Sequence, residues 1–131
     1  MGFWDWIKRN LEEEEPAGGW PYRNFGREDV QCKCCGTLVE NEGALRRLDK
    51  VLDLLPGIRI NCGYRCPPHN AKVGGAPLSQ HKLGTAFDLS TRGQHKSEDV
   101  MAAAKAAGFT GFGIYKTFVH VDMAKRTFKG K

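Results

Sequence analysis

Two of the four histidines stand in polar-rich stretches that also contain an aspartate. His81 and Asp88 lie in the polar stretch of residues 79–88, and His120 lies two residues before Asp122. Side chains two residues apart on a strand share one face of a sheet, so strand-borne groups can meet a loop-borne histidine there. Two imidazoles and one carboxylate form a catalytic zinc set with one open position. A metal site is therefore one hypothesis. The alternative is that these are ordinary core, surface and turn residues.

The five cysteines suggest a second candidate site. Cys32, Cys34 and Cys35 crowd into one short segment, and Cys62 and Cys66 flank a Gly-Tyr-Arg sequence. Five thiols cannot all pair within one chain, so an all-disulfide framework is not expected. A structural metal site built from Cys32, Cys34 or Cys35, and Cys66 is one interpretation, although the two Cys-x-x-Cys pairs of a zinc ribbon are absent. Buried or half-buried free thiols are the other.

Helix and strand patterns show which elements must hold these residues. Leucines recur at three- and four-residue steps after Asn41 and stop at Pro56-Gly57, which predicts a core-facing helix. Alternating apolar and polar residues predict strands at residues 58–62, 87–90 and 118–122. Ser97 is the predicted N-cap of an Ala-rich helix that stops at Gly108.

Two glycine-containing segments complete this prediction. The loop of residues 63–86 should contain a short helical turn that begins near Pro67-Pro68. Because the loop is long, we expect it to carry function. Residues 111–113 should turn the chain into the last strand. The element order predicts an α+β fold, a small antiparallel or mixed sheet with flanking helices.

Length and composition favour one compact globular domain. The chain has 131 residues, of which 40% are hydrophobic, and no apolar run approaches the roughly 20 residues of a membrane helix. Residues 1–24 are predicted to form an N-terminal arm, with a short amphipathic helix over residues 3–11 and an acidic run at residues 12–15. Residues 25–131 are the predicted domain. Residues 31–131 carry sixteen basic and eight acidic residues, a net charge of +8 that favours anionic partners.

Three blocks of the sequence resemble one known family. They are residues 63–75, which include Gly63-Tyr64-Arg65, the Ser-x-His-x-x-Gly-x-Ala-x-Asp block of residues 79–88, and residues 118–122. Together they resemble the zinc D-Ala-D-Ala carboxypeptidases, whose superfamily of peptidoglycan peptidases includes lysostaphin and the hedgehog amino-terminal domain. The resemblance covers roughly residues 25–124. It implies a hedgehog/D-Ala-D-Ala peptidase-like fold, with His81, Asp88 and His120 as ligands of one catalytic zinc.

The same resemblance implies roles around the metal. Arg65 would hold substrate through a carbonyl or carboxylate, which suits its rigid, charged guanidinium fork, and Ser79 is a further predicted substrate contact. Many relatives carry a general base, a Glu three residues or a His two residues before the last ligand, where this chain has Thr117 and Phe118. Asp122 is the nearest replacement. It could equally orient His120 from behind.

The expected function is a zinc peptidase that hydrolyses amide bonds in peptidoglycan peptide stems, as a D,D-carboxypeptidase or an endopeptidase. The opening residues lack a signal peptide, so we expect synthesis in the cytoplasm and action on the wall after release or accessory export, as for a phage or prophage lysin. A monomer without nucleic-acid or membrane partners is expected. The alternatives are a non-catalytic, hedgehog-like zinc module that binds wall peptide or a protein partner, and a cysteine-zinc domain that binds nucleic acid.

Overall fold

The computed structural model of the protein describes residues 20–93 and 95–129. Its regular elements confirm the α+β class. They are α1 (Glu42–Leu54), β1 (Ile60–Cys62), α2 (Pro67–Lys72), β2 (Phe87–Ser90), α3 (Ser97–Ala107), β3 (Gly111–Ile114), β4 (Phe118–Asp122) and β5 (Arg126–Lys129), with short 3-10 turns at Arg27–Asp29 and Gln80–Leu83. The predicted helix over residues 3–11 and the acidic run lie outside the described residues.

The five strands form one mixed sheet in the order β1-β2-β4-β3-β5. Every neighbouring pair is antiparallel except β3 and β5, which run parallel. Phe87 and Leu89 of β2, with Val119 and Val121 of β4, belong to the buried core. Because side chains alternate along a strand, the residues between them lie on the opposite face of the sheet. Those residues include Asp88 and His120.

Helices α1 and α3 cover the core face. The predicted apolar positions of α1 are buried, among them Leu45, Leu48 and Leu52, and the Asn41 side chain caps the helix by accepting a hydrogen bond from the Ala44 amide at 2.9 Å. Helix α1 packs against α3, and α3 packs on β4. Burial of this continuous apolar layer is what holds the sheet in one register.

Four details differ from the sequence prediction. Strand β1 begins at Ile60 because Ile58 still belongs to the turn after α1, where its amide donates to the Leu55 carbonyl. Helix α3 begins at Ser97 itself, with Lys96 as the N-cap. Residues 111–113 belong to strand β3, where glycine is needed because a Cβ on Gly113 would collide with the Phe128 ring. Strand β5 was not predicted.

Residues before the predicted domain boundary also pack on the domain. Trp20 and Tyr22 lie against Phe25, with the Tyr22 and Phe25 rings stacked at 5.4 Å, and the Trp20 indole donates to the Phe25 carbonyl at 2.8 Å. Within residues 20–93 and 95–129, no helix is both long and apolar enough to span a membrane.

Candidate functional site

The three predicted metal ligands meet at one point. His81 lies on the Gln80–Leu83 turn, whereas Asp88 and His120 are cross-strand partners on β2 and β4. The Asp88 Oδ1 atom lies 3.2 Å from His81 Nε2 and 3.1 Å from His120 Nδ1. The sheet therefore pairs two of the candidate ligands, and the loop brings the third to the same carboxylate oxygen.

The outer nitrogen of each imidazole is held by a protein acceptor. His81 Nδ1 donates to the Gly63 carbonyl at 2.7 Å, and His120 Nε2 donates to Asp122 Oδ2 at 2.7 Å. Because these outer nitrogens carry the protons, the inner nitrogens, which face Asp88, present lone pairs. This is how metal-binding histidines are usually oriented.

The inner atoms form a set that fits a cation. Two lone pairs and a carboxylate oxygen converge, and all three are acceptors that repel one another unless a proton or a metal ion lies between them. Donors around a tetrahedral zinc ion are roughly 3.3 Å apart, close to the two separations seen. Although burial raises the pKa of the Asp88 carboxyl, its contacts with His120 and His81 lower it to about 2, so Asp88 supplies a negative charge to this set.

Local backbone structure fixes the turn that carries His81. The Ser79 hydroxyl accepts a hydrogen bond from the His81 amide at 3.1 Å, so Ser79 caps the turn as well as lining the cleft. Gly84 ends the turn with φ of 74°, where a side chain would also collide with the Val39 carbonyl. The Arg65 amide donates to the His81 carbonyl at 3.0 Å, which joins the two loop residues directly.

Asp122 lies behind His120 and is fully buried. Its Oδ2 accepts from His120 and lies 3.0 Å from a guanidinium nitrogen of Arg126, while its Oδ1 accepts from the Ala124 amide at 2.9 Å. Every oxygen of this carboxylate is therefore engaged. Asp122 is not among the residues that line the cleft.

A cleft of about 430 Å³ opens in front of the candidate ligands. Arg65 and Arg126 both line it, and Asp88 is the only acidic residue among the described residues that line it. The Nε atom of Arg65 is buried without a hydrogen-bond partner. Within residues 20–93 and 95–129, no carboxylate forms an ion pair with this guanidinium. The Arg65 guanidinium is thus a positive charge that faces the cleft without a carboxylate partner among the described residues.

The positions that hold a general base in many relatives contribute no proton acceptor to the cleft. Phe118 lines it and stacks on Tyr115 at 4.2 Å between ring centroids, with 11° between the ring planes. Thr117 is not a lining residue, and its backbone carbonyl accepts from the Thr91 amide. One wall of the cleft is therefore aromatic where a catalytic carboxylate could have stood.

Several site residues were missed from the sequence. Tyr115, Arg126 and Phe128 line the cleft, and the two-residue spacing of Arg126 and Phe128 was the available signal for a strand.

A cysteine also lies near the candidate ligands. The Cys62 sulfur lies 3.8 Å from the outer nitrogen of His81, and candidate donor atoms of Cys62, His81 and Asp88 lie within 4.8 Å of one another. Burial raises the pKa of the Cys62 thiol to about 11, which favours its neutral form.

The other two histidines and the predicted cysteine cluster contribute no lining residue to the cleft. His69 on α2 and His95, whose ring contacts the Pro56 carbonyl, do not line the cleft. The structure does bring together all four cysteines of the predicted structural metal site, Cys32, Cys34, Cys35 and Cys66.

Comparison with protein families gives a match over most of the chain. A protein-family model described as peptidase M15 matches residues 24–122, more than half of the chain. This range contains Arg65, the three converging ligand candidates and Asp122, and it ends before β5. A search of curated proteins finds no match.

We predict that the three converging residues bind one zinc ion. His81→Ala and His120→Ala should each lower the bound zinc by one equivalent per chain, because each removes one of only three protein ligands. His95→Ala is the matched control and should keep the wild-type content. Elemental analysis of the purified proteins, with folding checked by circular dichroism, measures this. Folded His81→Ala and His120→Ala proteins with the full wild-type content would contradict the assignment.

Proposed function

The chain belongs to the peptidase M15 family, and from this premise we propose that it is a zinc-dependent peptidase that hydrolyses amide bonds in the peptide stems of peptidoglycan. The observation that carries the proposal is the convergence of His81, Asp88 and His120 on the floor of a cleft. Three protein ligands leave one position for water or substrate, as catalytic zinc sites require. When bound there, zinc supplies a Lewis acid that acidifies water and polarises a carbonyl oxygen.

The charges of the cleft support an anionic peptide as substrate. Arg65 and Arg126 line the same cleft as the candidate ligands, and a metal ion held by Asp88 would offset the negative charge of that carboxylate. Peptidoglycan stems carry carboxylates at their D-Ala terminus and on D-Glu or diaminopimelate. A guanidinium can bind such a carboxylate through two parallel hydrogen bonds. Arg65 would thereby hold the substrate with its scissile bond near the ligands.

The aromatic residues give the cleft a second property. Tyr115, Phe118 and Phe128 line one part of it, with Tyr115 in contact with both of the other rings. Such a surface can pack against the aliphatic portions of a peptide stem and exclude water from the reacting bond. Binding by the two arginines and packing on the rings together would fix the orientation of the peptide.

For Asp122 we propose a positioning role. Its carboxylate is buried behind His120 and accepts a hydrogen bond from the outer nitrogen of that ring. This contact keeps the inner nitrogen free to bind zinc and increases its basicity. A general base must reach a proton in the cleft, directly or through one water, whereas Asp122 does not line the cleft.

The second candidate function is a non-catalytic zinc module that binds wall peptide. The observation that favours it is that, within residues 20–93 and 95–129, no carboxylate other than Asp88 lines the cleft. Such a module would use the same ligands and the same two arginines. It would differ only in releasing no product.

Purified sacculi distinguish the two functions. We expect the full chain with zinc to release material from sacculi, and a chelator followed by zinc should abolish and then restore the release. Free D-Ala as product would identify a carboxypeptidase, and larger peptide fragments an endopeptidase. Folded, zinc-loaded protein that binds sacculi but releases nothing would contradict the enzymatic proposal and support the binding module.

Arg65→Lys tests the substrate contact. We expect kcat/KM on wall peptides to fall by about 10- to 100-fold with zinc content unchanged, because a lysine cannot form the two parallel hydrogen bonds of the guanidinium. Arg23→Lys, a change at an exposed arginine paired with Asp53, is the matched control. Unchanged kcat/KM in Arg65→Lys would remove this residue from substrate binding.

Asp122→Asn separates the two roles of this aspartate. If Asp122 positions His120, the change should weaken zinc binding by about 10- to 100-fold, and excess zinc should restore most of the activity. If Asp122 is the general base, zinc binding should be retained and kcat should fall by about two to four orders of magnitude, without rescue. Zinc titration and kcat at saturating zinc measure both, with Asp53→Asn as the surface control.

A further inference from the structure

The cysteines outside the cleft form a second candidate site. We propose that Cys32, Cys34, Cys35 and Cys66 bind one structural zinc ion, which ties the segment before α1 to the loop that carries Arg65. This site is separate from the histidine site and does not depend on the proposed function.

The sulfur atoms are already close to the arrangement that zinc requires. The Cys32, Cys34 and Cys66 sulfurs lie 3.4–3.6 Å from one another. The sulfur atoms of all four cysteines lie within 4.8 Å of one another. Sulfurs around a tetrahedral zinc ion at about 2.3 Å are roughly 3.8 Å apart. No other metal-ligand cluster of the described residues consists of four thiols. Four thiolates fill a tetrahedral site and leave no open position, which is typical of structural zinc.

Backbone contacts hold the first three cysteines in a tight loop. The Cys32 amide donates to the Thr37 carbonyl at 2.7 Å, and the Gly36 amide donates to the Cys32 carbonyl at 2.8 Å. The Thr37 hydroxyl lies 2.9 Å from the Cys35 sulfur, as expected for a hydroxyl donor to a thiolate ligand. This loop gives Cys32 and Cys35 a Cys-x-x-Cys spacing.

The fourth cysteine comes from a distant part of the chain. Cys66 is the N-cap of α2, and its amide lies 3.4 Å from the Cys32 sulfur. Next to it, the Tyr64 amide donates to the Val30 carbonyl at 2.8 Å. Gly63 approaches Val30 so closely that a Cβ would lie 2.6 Å from the same carbonyl oxygen. The two segments are therefore joined at adjacent points, and the cysteines lie at the end of that junction.

The position of Cys66 in the chain links the proposed zinc site to Arg65 in the cleft. Arg65 precedes it directly, and the Arg65 amide also donates to the His81 carbonyl. A zinc ion on Cys66 would hold one side of Arg65, and the turn that carries His81 holds the other. A metal ion that closes a long loop in the folded state also stabilises that state against unfolding.

Zinc content and cobalt spectra of the full chain test the proposal. Wild-type protein should bind two zinc ions, and the double variant His81→Ala, His120→Ala should retain one. Cobalt in that retained site should show the near-ultraviolet charge-transfer band of thiolate ligands. Cys34→Ser combined with Cys35→Ser should remove one zinc ion and this band, because two of the four proposed ligands are lost. Both cysteines are exposed, so the substitutions should leave the fold intact. Cys62→Ser is the matched cysteine control and should keep the band.

Amide hydrogen exchange tests the link between the two segments. In the Cys34→Ser, Cys35→Ser variant, exchange of the Tyr64 and Cys66 amides should accelerate by about tenfold or more, with the α1 amides unchanged. A cluster that holds iron, a disulfide among these cysteines in protein purified with zinc, or a retained ion without thiolate bands would overturn the proposal. So would equal exchange in variant and wild type. These readouts do not use peptidase activity, so the proposed function can fail while this site stands.

Discussion

The candidate site depends on one cross-strand pair, Asp88 on β2 opposite His120 on β4. A one-residue slip of either strand would turn its polar residue into the helix-covered core and expose an apolar neighbour. The buried side chains of Phe87, Leu89, Val119 and Val121 oppose that slip. The packing of α1 and α3 on the far side of the sheet thus specifies which residues face the cleft, although neither helix contributes a candidate ligand.

Contacts behind the candidate ligands determine which imidazole nitrogens face Asp88. Gly63 and Asp122 hold the outer imidazole nitrogens, so three acceptor atoms are left facing one another at Asp88. Burying such a group without a compensating positive charge is costly. A bound cation would relieve that repulsion, which supports the proposal that this set holds a metal ion. In the proposed positioning role, Asp122 would affect the chemistry through His120 without lining the cleft.

Period-two alternation predicted that Asp88 and His120 would face the same side of the sheet, because both strands have a clear apolar face. No spacing rule placed His81, since the loop between residues 63 and 86 has no periodicity, and its role came from resemblance. Strand β5 escaped prediction because it is a short, largely exposed edge strand. Arg126 and Phe128 were missed with it. Gly111 and Gly113 suggested a turn by composition, yet both lie inside β3, where neighbouring atoms leave no room for a side chain.

The strand residues and the loop residues of the site are held in place by different kinds of contact. Asp88 and His120 are placed by the ladder of the sheet, whereas Arg65 and His81 lie in a loop that has no ladder of its own. The Arg65 amide and the His81 carbonyl bond to each other, so the group that would bind substrate and a group that would bind metal are coupled through one hydrogen bond. A pair coupled only to itself could still shift as a unit. It is restrained because the Gly63 carbonyl holds His81, and because Gly63 and Tyr64 are held against Val30 next to the cysteine cluster. Precision in the cleft therefore depends on contacts of the segment before α1, a part of the chain that contributes no residue to the cleft lining.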